Sequence, residues 1–240
     1  MNILITGGAS GLGAAITKAF AANAANKVNF TYHHSVNDAG QLEELFGNTT
    51  GIKCDFSDAQ QVQELSEAIK RLNLDVLINN AYSGKIEPCY FHKTNKAVFL
   101  SDFENNLLPV IKITQATIQA FRKKKQGRII TVLTSYLENV PPMGMSAYVA
   151  GKAYLKQLTK VWAAENAALN ITSNSVSPSF MQTGLTNDTD ERVIEQMSQN
   201  HPLKKLLQPE EVAQTIYEMA NGTSHMNGVD LVLNAGVNMR

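Results

Sequence analysis

Tyr148 and Lys152 stand four residues apart in the stretch Tyr-Val-Ala-Gly-Lys. On a helix, that spacing puts both side chains on one face, about one turn apart. A free phenol keeps its proton up to about pH 10. A neighbouring ammonium favours the phenolate and lowers that value. Tyr148 would then give or take a proton near neutrality, as general acid–base catalysis requires. Such a pair is also common on helix surfaces with no chemical role, so the rest of the chain has to decide. A second stretch, Thr6-Gly7-Gly8-Ala9-Ser10-Gly11-Leu12-Gly13, suits a different task. Glycines allow a tight turn and let backbone N–H groups approach a pyrophosphate, with a helix N-terminus facing the anion. The spacing is not G-x-G-x-x-G, and a purely structural turn is the competing reading.

The pattern around these stretches predicts the elements that place them. Residues 146–166 are rich in helix formers and free of proline, with Ser146 as the expected N-cap. Strands are expected at 2–6, 28–32, 51–54, 76–78, 128–133, 171–176 and 229–233. Helices are expected at 12–25, 36–46, 57–72, 101–125 and 210–220, with Ser57 capping the third of these and Pro109 kinking the 101–125 helix. Residues 82–100 read as irregular and 179–208 as mixed and polar. Strands alternating with helices imply right-handed βαβ crossovers. The expected fold is α/β: one doubly wound, Rossmann-type domain over 1–240, with a parallel sheet of about seven strands and helices on both faces. Ligands belong at the carboxyl ends of its strands.

Composition excludes several classes. The hydrophobic fraction of 44% suffices for a core and argues against disorder. Lys plus Arg equals Asp plus Glu at 21 each, so nothing draws the chain to nucleic acid or an anionic membrane. The run Arg122-Lys123-Lys124-Lys125 falls where a helix should end, and cations there complement the helix dipole. Cys54 and Cys89 are too few for a disulfide framework or a zinc site. No signal peptide and no membrane-length apolar run is visible, so a cytoplasmic protein is expected. Histidines 33, 34, 92, 201 and 225 lack ligand spacing, and no metal is expected.

In order along the chain, these motifs resemble the short-chain dehydrogenase/reductase family, over the whole sequence. Thr-Gly-x-x-x-Gly-x-Gly stands at the first strand–helix turn and Tyr-x-x-x-Lys follows later. Asn79-Asn80-Ala81 matches the family's Asn-Asn-Ala-Gly, with Tyr82 in place of the glycine. Ser135 precedes Tyr148 by the usual 13 residues, and Asn106 stands where the family has a catalytic asparagine. Asn174-Ser-Val-Ser-Pro178 ends in Ser179 rather than glycine, and Gly228 with 232–236 is again one glycine short, at Ala235.

The resemblance implies hydride transfer between a nicotinamide and a carbonyl or alcohol. Tyr148 would be the acid–base, Lys152 would lower its pKa and hold the nicotinamide ribose, and Ser135 would hydrogen-bond the substrate oxygen. Asn106 would hold a water linking Lys152 to solvent. Its competing reading is an asparagine that satisfies backbone groups at a helix kink. Gly7, Ser10, Gly11, Leu12, Gly13, His33, Asp55, Phe56, Asn80, Ala81, Pro178 and Thr183 would contact the cofactor, together with Tyr148 and Lys152. Strand two ends in Thr31-Tyr32-His33-His34-Ser35, with no acid to repel a 2′-phosphate, which favours NADP(H) over NAD(H). Residues 183–207, including Asn187, Asp188, Asp190 and Glu191, would form a lid over the substrate. The pattern is most similar to 3-oxoacyl-[acyl-carrier-protein] reductases, which leaves open whether a carrier protein delivers the substrate. A homotetramer or dimer is expected through Val149, Ala153, Leu158, Val161 and Trp162. The competing functional readings are a non-catalytic NAD(P)-binding sensor and an NAD-dependent dehydrogenase of a sugar, steroid or small alcohol. A lyase or epimerase of the extended relatives would need more chain.

Overall fold

The computed structural model describes residues 1–138, 140–186 and 189–237; Asn187 and Asp188 of the expected lid lie outside them. Seven strands pair in parallel in the order β3-β2-β1-β4-β5-β6-β7. They are β1 (Asn2–Ile5), β2 (Lys27–Tyr32), β3 (Thr49–Lys53), β4 (Val76–Asn79), β5 (Gly127–Val132), β6 (Ile171–Pro178) and β7 (Asp230–Leu233). The helices are α1 (Gly11–Ala21), α2 (Val36–Leu45), α3 (Ala59–Leu72), α4 (Lys96–Asp102), α5 (Leu108–Lys124), α6 (Ser146–Asn166), α7 (Glu191–Asn200) and α8 (Pro209–Asn221). The chain therefore folds as one Rossmann-type domain.

Strand residues alternate between two cores, as a pleated sheet covered on both faces demands. Ile3, Ile5, Val28, Phe30, Val76 and Ile78 pack with α1, α2 and α8. Leu4, Leu77 and Ile129 pack with α3, α5 and α6 on the other face. The order reverses between β1 and β4, the point at which such sheets open a crevice at their carboxyl edge.

The caps and the middle of the chain differ from expectation. Asp58, not Ser57, caps α3, accepting from the Gln60 and Gln61 N–H groups; the Ser57 hydroxyl donates instead to Asp55 Oδ1 at 2.7 Å. Ser146 is the first helical residue of α6, with Met145 at the cap, and its hydroxyl is buried without a partner. The segment 82–100 already contains the start of α4. The expected single helix 101–125 is interrupted by a π-helical turn, Phe103–Leu107. The break precedes Pro109, which sits in the first turn of α5, where its missing N–H costs no hydrogen bond. Arg122 to Lys124 do close α5, with Lys125 in the left-handed cap position. Lys124 pairs with Asp75. The polar segment after β6 carries α7, held at its start by the Asp190 cap.

A candidate dehydrogenase site at the carboxyl edge of the sheet

The loop from β1 into α1 is built for close backbone approach. Gly7 has φ +65° and Gly11 φ +50°, conformations that favour glycine. A Cβ on Gly13 would lie 1.8 Å from the Gly7 carbonyl oxygen. The first turn of α1 has no acidic residue, and Ser10 makes no side-chain cap. Ser10 thus leaves the N–H groups of that turn without a side-chain cap, and they form the positive end of the helix dipole. This cradle fits a dinucleotide pyrophosphate.

Neighbouring strands complete its walls. Asn80 donates from Nδ2 to the carbonyls of Thr6 and Gly7, at 3.0 and 3.1 Å. The Asn80 and Ala81 N–H groups both donate to Thr6 Oγ1. Leu12 and Phe56 are buried. Thr183 approaches Gly11 closely: a Cβ there would be 3.3 Å from Thr183 Cβ. Pro178 is the last residue of β6, paired with Leu233. Asp55, past the end of β3, faces His33 Nε2 at 3.4 Å. The His33 and His34 rings stack with centroids 3.7 Å apart.

Tyr148 and Lys152 do share a face of α6. Lys152 is buried, donating from Nζ to the Val132 carbonyl at 2.9 Å. Nζ lies 5.9 Å from the centroid of the Tyr148 ring. Burial pulls the Lys152 ammonium down to about 8, against the opposing pull of Asp102. Burial also pushes the Tyr148 phenol up to about 12, with Thr134 opposing and Tyr136 and Asp102 adding to the rise. The expected downward shift from Lys152 is therefore not seen. The ammonium is held by the Val132 carbonyl, and desolvation of the phenol dominates. Thr134 and Tyr136, which act on Tyr148, flank Ser135. Ser135 opens a short 3₁₀ turn just past β5 and is buried.

Asn106 lies in the π-turn. Its Oδ1 accepts from the Ser83 N–H at 2.6 Å. Its Nδ2 donates to the Ser83 carbonyl at 3.2 Å and to Asp102 Oδ1 at 3.1 Å. In this geometry the amide ties down backbone next to an irregular turn. Sequence reasoning missed Asp102. It marked Tyr82 only as a replacement of a glycine; the Tyr82 hydroxyl donates to Asp102 Oδ1 at 2.7 Å. Its ring meets that of Tyr148 edge-on at 5.3 Å. Among the described residues no cluster of three or more His, Cys, Asp or Glu could hold a metal, and no helix is long and apolar enough to cross a membrane.

A seven-stranded parallel sheet with a glycine cradle and a Tyr–Lys helix at its carboxyl edge is the arrangement of a nicotinamide-dependent oxidoreductase. The family model for short chain dehydrogenases matches residues 1–194. The chain is 30% identical over 239 residues to the 3-oxoacyl-[acyl-carrier-protein] reductase of Thermotoga maritima, covering 98% of this chain and 96% of that protein. It is 30% identical over 248 residues to the 2,3-dihydro-2,3-dihydroxybenzoate dehydrogenase of Escherichia coli, at the same coverages. A short chain dehydrogenase from Burkholderia cenocepacia, solved in complex with NADP, superposes with a TM-score of 0.83 at 26% identity, over 99% of this chain and 98% of that one. The chain belongs to the short-chain dehydrogenase/reductase family and is an NAD(P)-dependent oxidoreductase.

Proposed function

We propose that the protein is an NADP-dependent carbonyl reductase acting on a 3-oxoacyl thioester or a related ketone. The observation that carries this reading is the convergence of Tyr148, Lys152 and the Ser135 segment beside the glycine cradle. The bound nicotinamide supplies hydride to the carbonyl carbon. Tyr148 donates its proton to the carbonyl oxygen, and the product is an alcohol. A phenol held near 12 is protonated at neutral pH, which suits the acid of a reduction. The phenolate left behind is stabilised by the Lys152 ammonium until solvent returns the proton. Ser135 hydrogen-bonds the substrate oxygen, where charge develops. Asn106 fixes the Tyr82–Ser83 segment behind Lys152.

The cofactor preference rests on the end of β2, where His33, His34 and Ser35 offer donors and no carboxylate among themselves. The thioester assignment rests on the similarity to the Thermotoga maritima reductase, and delivery by a carrier protein belongs to the same reading. The lid assigned to 183–207 starts at Thr183, next to the cradle. The site works in a cytoplasmic homo-oligomer. Trp162 and Leu158 pack within the chain's own core rather than outward. The exposed apolar side chains include Val98, Leu100 and Phe103 with Tyr154 and Val161. A monomeric mass by light scattering would remove the oligomer from the proposal.

The test of the function is loss of reduced-nicotinamide absorbance with an acetoacetyl thioester, NADPH and NADH in parallel. Turnover with NADPH that Tyr148→Phe abolishes supports the reading. Turnover with NADH alone overturns the cofactor assignment. Full activity in Tyr148→Phe overturns the mechanism.

A further inference from the structure

Two polar side chains, Tyr82 and Asp102, meet behind the Tyr148–Lys152 pair. The first stands where the family pattern has glycine. Asp102 Oδ1 accepts from the Tyr82 hydroxyl at 2.7 Å and from Asn106 Nδ2 at 3.1 Å. Its other oxygen packs on the backbone of α6: a Cβ on Gly151 would lie 2.7 Å from Asp102 Oδ2. Glycine weakens a helix interior, and here it makes room for a carboxylate one residue before Lys152. Nζ of Lys152 lies 5.7 Å from the Tyr82 ring centroid. These residues enclose a cavity of about 10 Å³, far too small for a substrate. They form the back wall of the site.

An ammonium buried there needs compensation. The Val132 carbonyl supplies one acceptor, and two aromatic faces supply quadrupole attraction. Neither carries a full negative charge. Asp102 does, and its hydrogen bond from Tyr82 draws electron density into the ring on which the ammonium rests. Resting on the proposed function, we propose that Asp102 is a positioning residue of the site. Its carboxylate is the counter-charge that keeps Lys152 an ammonium, while fixing Tyr82 and Asn106 around it.

The titratable groups that face Lys152 are Tyr148 on its own helix, Tyr82 from the segment after β4 and Asp102 from α4; Tyr136 acts on Tyr148 from the turn after β5. Removing the Asp102 charge takes away the opposition to desolvation, so the Lys152 proton is lost at lower pH. The experiment is a titration of the lysine ¹³Cε resonances by NMR, with Lys152 assigned by its loss in Lys152→Met. The wild-type midpoint is expected near 8. In Asp102→Asn it falls by about one pH unit, the order of shift that loss of a nearby opposite charge produces. Asp102→Glu restores at least half of the shift. The double variant Tyr82→Phe/Asp102→Leu exchanges the polar pair for an apolar one of similar bulk, covers the case in which Asp102→Asn does not fold, and also lowers the midpoint. An unchanged midpoint in either uncharged variant overturns the proposal. The descending alkaline limb of kcat/KM for carbonyl reduction moves with the midpoint. If the wild type reduces no carbonyl while the midpoint still moves, the proposed function fails and the role of Asp102 stands.

Discussion

Replacing Lys152 by methionine removes a charge from a site that resists charge. Lys152 is 8% exposed, and burial lowers its ammonium from 10.5 to about 8. Below about pH 8 the folded and unfolded chains both carry this proton, and folding must bury a cation. Between 8 and 10.5 the unfolded chain binds more protons than the folded one, so wild-type stability rises with pH across that window. At about 1.4 kcal/mol per unit, the full span is worth roughly 3 kcal/mol, and the stretch from about pH 7 to about pH 9.5 roughly 2 kcal/mol. The variant lacks this titration. The constant effects of the substitution, such as the lost bond to Val132 and the loss of Asp102's counter-charge, are the same at every pH in this range. Burial pushes Tyr148, Tyr82 and Tyr136 upward in the folded chain, and these tyrosines are present in both proteins, so their contributions cancel in the difference. The assay is urea unfolding of both proteins across pH, and thermal unfolding as a check. The wild type is expected to gain on the variant by roughly 2 kcal/mol, or about 4–8 °C in Tm for a chain of this size. A difference that is flat with pH, or that moves the other way, refutes the view of Lys152 as a charge held against desolvation. Activity is lost in the variant at every pH.

The glycines offer a matched pair of changes. Gly13→Ala drives a Cβ into the Gly7 carbonyl and Asn80; cofactor binding, read by fluorescence quenching or calorimetry, is expected to fall at least tenfold, with a stability loss of about 1–3 kcal/mol. Gly40→Ala, inside α2 with nothing within 4 Å of the new methyl, is expected to raise stability by about 0.5–1 kcal/mol with unchanged kinetics. Cys54 is buried, and burial with Asp55, Asp58 and Glu64 pushes its thiol up to about 11. A disulfide reagent at about pH 8 should leave it unmodified in the native protein and modify it once the chain is unfolded; rapid native labelling at Cys54, read by peptide mass, contradicts this.

Much of the site was legible because its parts repeat local patterns. The Tyr148–Lys152 spacing is a helical one, and the glycine loop follows an apolar run that can only be a buried strand. Strand alternation then carries those turns to one edge of one sheet. What was not legible depends on contacts across the chain. Nothing local marks Asp102 as other than a solvated acid at a helix start. It becomes part of the site because α4 packs against α6, and because Gly151 leaves space for a carboxylate. Tyr82 could be flagged as a departure from a glycine, but not as one end of a hydrogen bond whose other end lies in a different element. Trp162, expected at a contact between subunits, lies in the chain's own core, because α6 packs both on the sheet and on α4. The caps failed for a related reason: Ser57 and Asp58 both suit a cap, and Asp55 decides between them by taking the Ser57 hydroxyl. Family motifs locate the chemistry, and the residues that depart from them show how this chain adjusts it. Tyr82 departs from its motif and meets Asp102 beside the buried lysine, and a perturbation of either should therefore be felt in the titration of that lysine rather than in stability alone.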